Sequence, residues 1–130
     1  HSLDLKKNIS QIFSTSEIIP SVGQGTVALQ CRNLDEGIIS LLSQINHKTT
    51  QHCVLAERNV LKILEGDCET AVGVIANLEG ENIYLEAELF SLDGKQRFYH
   101  RASRHVNSAA ELGREVGEIL KKESNNSYKR

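Results

Sequence analysis

The apolar pattern changes period twice, at Thr70 and again at Ser108, and no other feature of the chain restricts its fold as strongly. Before Thr70, Cys53, Ala56, Val60, Ile63 and Leu64 recur at helical spacing. Thr49 or Thr50 is the expected cap of that helix, and Gly66 the expected left-handed ending. After Thr70 the residues alternate. Val72, Val74, Ala76 and Leu78 fall on one side, a Glu79-Gly80 turn follows, and Ile83, Leu85, Ala87 and Leu89 share one side of the return. Asp93 to Lys95 is a second turn signal, and "QRFYHRA" a third strand. Ser108 and Glu111 form a capping-box pattern opening a last helix, with Leu112, Val116, Ile119 and Leu120 as its apolar stripe. The polar tail "ESNNSYKR" is expected to fray.

This order predicts an α+β fold: a three-stranded antiparallel sheet with helices packed on one face, occupying residues 48–130. Residues 1–47 do not fit that unit. They hold one strand candidate, "TVALQCR", one helix capped by Asp35 with Ile38, Leu41, Leu42 and Ile45 on a face, and a glycine-rich link, "VGQG". They are expected to be the trailing pieces of other domains, with a hinge near 23–25. One residue conflicts with its surroundings: Glu57 falls between Leu61 and Leu64 on the apolar face of its helix and requires a partner.

Several function classes are excluded by charge and composition. A net charge of -2 with scattered Lys and Arg forms no basic stripe for nucleic acid. The longest apolar runs are far short of the roughly 20 residues that span a bilayer, and no signal peptide opens the chain, so a cytoplasmic protein is expected. Cys31, Cys53 and Cys68 are odd in number and irregular in spacing, as reduced thiols are. The chain begins at His1 and contains no methionine, which predicts a processed or truncated piece.

Local motifs offer little chemistry. His47, His52 and Cys53 match no common zinc spacing, so no metal is expected. "VGQGT" leads into a strand candidate and lacks the helix N-terminus that phosphate loops use. No G-x-S-x-G elbow is present. Cys68 follows a helix C-terminus and stands between Asp67 and Glu69, surroundings that disfavour a thiolate. On its residues alone it is a sluggish nucleophile, more often incidental than functional.

Two ordered motifs, "IIPSVGQGTVALQCR" and "AERNVLKILEGDCETAVGV", followed by an acidic hairpin and a closing helix, resemble the C-terminal part of the porphobilinogen deaminase (hydroxymethylbilane synthase) family. The likeness covers nearly the whole chain. It implies a monomeric, cytoplasmic, three-domain transferase of haem biosynthesis that joins four porphobilinogen units into hydroxymethylbilane. It also implies that Cys68 carries a dipyrromethane cofactor through a thioether. A cofactor attached once needs a persistent carbon–sulfur bond more than a fast thiolate, so the acidic neighbours do not oppose the role. The loop departs from the family's usual second glycine and Gln-Val-Pro, having Asp67, Glu69, Thr70 and Ala71 instead.

The family's catalytic aspartate and arginine cluster belong to its N-terminal two thirds, and the seven arginines here are scattered. The resemblance therefore implies no catalytic residue in this chain, no synthase activity alone, and an unmodified Cys68. Residues up to about Gln24 would end the second domain, and Gly25 to about His47 would return to the first. Ile9, Ile12, Phe13, Ile38, Leu42 and Ile45 would then expose an apolar surface, and self-association of the fragment is an expectation. For Glu57, charge-assisted hydrogen bonds to the Cys68 loop or a neighbouring domain and a plain ion pair both remain open. The alternative is a stand-alone α+β binding or regulatory module with an incidental cysteine; a thiol-redox protein ranks behind both.

Overall fold

The structure is a computed structural model and describes residues 6–66 and 69–129. Its elements are α1 (Glu36–Ile45), α2 (Lys48–Leu64), β1 (Val72–Glu79), β2 (Asn82–Phe90), β3 (Arg97–His105) and α3 (Ala109–Ser124), with 3-10 turns at Lys6–Asn8 and Val106–Ser108. The strands form one antiparallel sheet in the order β1-β2-β3, Val74 facing Ala87 and Leu85 facing Ala102. This is the α+β arrangement that the period changes predict. Val74, Ala76, Ile83, Leu85, Ala87 and Leu89 bury one sheet face beneath α2 and α3. Each fully buried Leu or Val there contributes about 1.5–3 kcal/mol.

The two helices approach closely because α3 turns glycines toward α2. A Cβ at Gly113 would stand 2.1 Å from the Ala56 carbonyl oxygen, a contact no side chain can make. Ala56, Val60 and Leu64 of α2 thereby reach Leu112, Val116 and Leu120 of α3 in one core.

Asp35 caps α1 as expected, its carboxylate accepting from the Ile38 N–H. Four local expectations are corrected. The cap of α2 is His47, not Thr49 or Thr50, with Nδ1 accepting from the Thr50 N–H at 3.3 Å. An imidazole nitrogen serves there as the acceptor that a hydroxyl would otherwise supply. At the other end, Glu65 takes the left-handed conformation (φ 53°), one residue before the expected Gly66. Gly66 sits close under Leu61: a Cβ there would lie 2.6 Å from Leu61 Cδ1, and that side-chain end would have to shift. Ser108 makes no side-chain capping bond, because α3 is entered through the 3-10 turn. The first hairpin turns at Gly80 and Glu81, with Glu79 still paired to Asn82.

Residues 26–32 form no strand. A strand needs a ladder, and the free edge of β1 is already occupied. The Val72 N–H donates to the Thr70 carbonyl, the Val74 N–H to the Pro20 carbonyl, and the Ala76 N–H to the Glu57 carboxylate. From the first segment, Ile19 is buried and Val22 packs on the core, whereas Ile9, Ile12, Phe13, Ile38 and Ile45 are exposed and Leu42 is half-buried.

The tail does not fray. Tyr128 is 3% exposed, and the Leu92 N–H donates to the Ser127 carbonyl. No helix among the described residues is long and apolar enough to cross a membrane.

Candidate functional site

Cys68, the residue that the family resemblance singles out, lies outside the described residues, but both approaches to it are visible. α2 leads toward it through Glu65 and Gly66, and Thr70 leads away into β1. Beside this end of α2 is an open cleft of about 1240 Å³ between α2, α1 and residues 26–31. Val27, Leu29, Leu42 and Leu55 supply apolar wall, Arg58 and Lys62 supply positive charge, and Glu65 and Gly66 stand on its lining. Planar apolar rings carrying carboxylates are chemically suited to such a lining.

The end of α2 is held from a distance. The last carbonyls of a helix have no partner within it. Here the Tyr128 hydroxyl donates to the Leu64 carbonyl at 2.9 Å, and Lys121 Nζ donates to the Ile63 carbonyl at 3.3 Å. Lys121 also meets the Glu65 carboxylate at 3.3 Å, and Lys129 pairs with the same oxygen. Hydrogen bonds from Lys129 and then Lys121 hold the Glu65 carboxyl below the usual carboxylate range. The Glu65 bond in turn raises Lys129, and burial pushes the Tyr128 phenol up. The ion pairs are exposed and contribute little, so most of this attachment comes from the buried Tyr128. Sequence reasoning missed it. The available signal was one aromatic residue in an otherwise polar tail.

Glu57 has the partners that its position demanded. It is 7% exposed, and its two oxygens accept from the Gly23 N–H at 2.8 Å and the Ala76 N–H at 2.9 Å. Charge-assisted hydrogen bonds are thus the observed solution; the plain ion pair is not formed, since no ion pair among the described residues includes Glu57. The carboxylate joins the glycine-rich link to the sheet edge and does not reach the described flanks of Cys68.

Of the remaining thiols, Cys53 is buried, and burial followed by the nearby Glu57 charge pushes its thiol up against a hydrogen bond from the Leu78 backbone. Such a thiol is inert. Cys31 is half-buried on the cleft lining. Among the described residues no group of three or more His, Cys, Asp or Glu could hold a metal ion.

Residues 51–122 match the family model described as "Porphobilinogen deaminase, C-terminal domain". The chain belongs to that family. The match takes in most of α2, the whole sheet and most of α3, the elements that surround the core. Among curated relatives, the porphobilinogen deaminase of Desulforamulus reducens is 36% identical over 112 residues, 86% of this chain and 36% of that protein. The porphobilinogen deaminase of Chloroherpeton thalassium is 33% identical over 125 residues, 93% of this chain and 40% of that protein. For the porphobilinogen deaminase of Staphylococcus carnosus the identity is 33% over 116 residues, 88% of this chain and 37% of that protein. The chain therefore spans about two fifths, or less, of the length of these relatives.

Proposed function

We propose that this chain is the cofactor-carrying C-terminal part of a cytoplasmic porphobilinogen deaminase, a transferase of haem biosynthesis. That enzyme joins four porphobilinogen units head to tail, releases ammonia and yields hydroxymethylbilane. Residues 48–130 form its third domain, and residues 1–47 are the ends of the preceding two, hinged near 23–25. Cys68 is the thioether anchor of the dipyrromethane group. The catalytic acid and the arginines that grip substrate carboxylates lie in the other domains, so these 130 residues alone are inactive.

The observation that carries this reading is the family match over the α2–sheet–α3 unit, in whose α2–β1 connection Cys68 stands. The residue types also suit the cofactor. Arg58 and Lys62 are cations fit to meet its carboxylates, beside apolar wall fit for its rings. When bound, the group supplies a pyrrole acceptor from which chain growth starts. The chain's own part is to provide one sulfur, to present cations on the cleft lining, and to hold the end of α2 in place. Of the other two thiols, Cys53 is withdrawn into the core, and Cys31 belongs to the first segment, outside the matched unit.

The test is the activity of a full-length protein containing this segment. It should consume porphobilinogen and release ammonia in equal amounts with formation of a linear tetrapyrrole. A folded full-length protein that leaves porphobilinogen untouched would overturn the proposal.

A further inference from the structure

In the first segment, burial is concentrated in residues 19–23. Residues 8–18 and 24–30 are exposed, whereas Ile19 is 9% exposed and Val22 packs on the core. This short stretch is bonded to the edge of β1 and to α2. The Pro20 carbonyl accepts from the Val74 N–H at 2.8 Å, and the Gly23 N–H donates to the Glu57 carboxylate, whose other oxygen takes the Ala76 N–H. A carboxylate on an apolar helix face is costly unless it is hydrogen-bonded, and half of that bonding here goes to the stretch.

Gly73 completes the seat. It pairs with Glu88 on the sheet face turned away from Val74 and the core, and a Cβ there would stand 2.7 Å from the Ile19 carbonyl oxygen. The space of one missing side chain is thus filled by the backbone of a distant segment. Past the seat the chain turns sharply, the Gln24 N–H donating to the Ser21 carbonyl and the Thr26 N–H to the Gly23 carbonyl. Gly23 and Gly25 there have φ of 68° and 78°, with nothing within 4 Å of where a Cβ would stand. These two glycines serve the direction of the backbone.

We propose that the β1 edge, with Gly73 and Glu57, is a docking site for the chain's own residues 19–23 and fixes the hinge near 23–25 to the third domain. The largely exposed pieces on either side then pivot about a point held by Val74 and Glu57. Assigning those pieces to two other domains rests on the function proposed above; the docking itself does not.

The test is amide hydrogen exchange on the 130-residue chain. Without substitution, the Gly23 amide should exchange at least about tenfold more slowly than those of Gly25 and Leu29, as a bond to a charged acceptor requires. Gly73→Val sets a side chain against the Ile19 backbone, yet valine suits a strand and the core face is untouched. It should quicken Gly23 and Val74 about fivefold or more relative to the Val60 and Val116 amides of the core. Should that variant not fold, Ile19→Ala, outside the α2–sheet–α3 core, must move Gly23 and Val74 in the same direction. A Gly23 amide as fast as Gly25, or variants that move Gly23 and Val74 only in step with Val60 and Val116, would overturn the inference. A full-length protein that leaves porphobilinogen untouched would defeat the proposed function without altering these rates, so the two failures are distinguishable.

Discussion

Cys68→Ser in the full-length enzyme should abolish porphobilinogen turnover, by about a thousandfold or more, as loss of a covalent anchor does elsewhere. A serine hydroxyl is a far weaker nucleophile than even a sluggish thiol, and the neighbouring Asp67 and Glu69 are carboxylates of ordinary type, too weakly basic to hold a serine as its alkoxide. The variant should fold normally, since one oxygen replaces one sulfur. Cys31→Ser is the control. That thiol lines the cleft but belongs to the first segment, and its loss should leave turnover within about twofold, the range of an uninvolved surface change. Steady-state ammonia release checks both. Retained turnover in Cys68→Ser would mean that growth starts from some other group.

Glu57→Ala should destabilise the domain by about 2–4 kcal/mol, the cost of removing charge-assisted bonds and leaving two donors without acceptors. The Ala76 N–H belongs to the edge of a buried strand and cannot turn to water, so it bears most of that penalty. The Gly23 N–H belongs to the link, and its release should free residues 20–25 from β1. Denaturant unfolding measures the first effect, and hydrogen exchange at Gly23 and Ala76 the second. A loss below about 1 kcal/mol, with both amides still protected, would show that the carboxylate is dispensable to the sheet edge.

The parts legible in the sequence were those governed by local periodicity. The alternation from Val72 to Leu89 and the helical stripes around it are written in neighbouring residues, because each element buries one face against the same core. Glu57 was legible as an anomaly, since a carboxylate on an apolar stripe must be compensated. Its partners were not legible, because they are backbone amides 19 and 34 residues away that carry no side-chain signature. The strand expected at 26–32 failed for a related reason: propensity favours it, but the sheet edge it would join is already satisfied by Pro20 and Glu57.

The tail misled in the opposite way. Eight mostly polar residues promise little burial, yet a single Tyr128 docks against the end of α2 and brings Lys129 to Glu65. At the α2 terminus the sequence points to Gly66 as the left-handed residue, but the structure gives that conformation to Glu65. The Glu65 carboxylate is met there by Lys121 and Lys129. Cys68 was identified by family resemblance alone; its acidic neighbours give no sign of activation.

The most direct measurement is peptide mass mapping of the denatured full-length enzyme. The peptide containing Cys68 should be heavier than its sequence by one dipyrromethane, and the increment should survive reducing agents, as a thioether does. An unmodified Cys68 peptide from a preparation that turns over porphobilinogen would contradict the account.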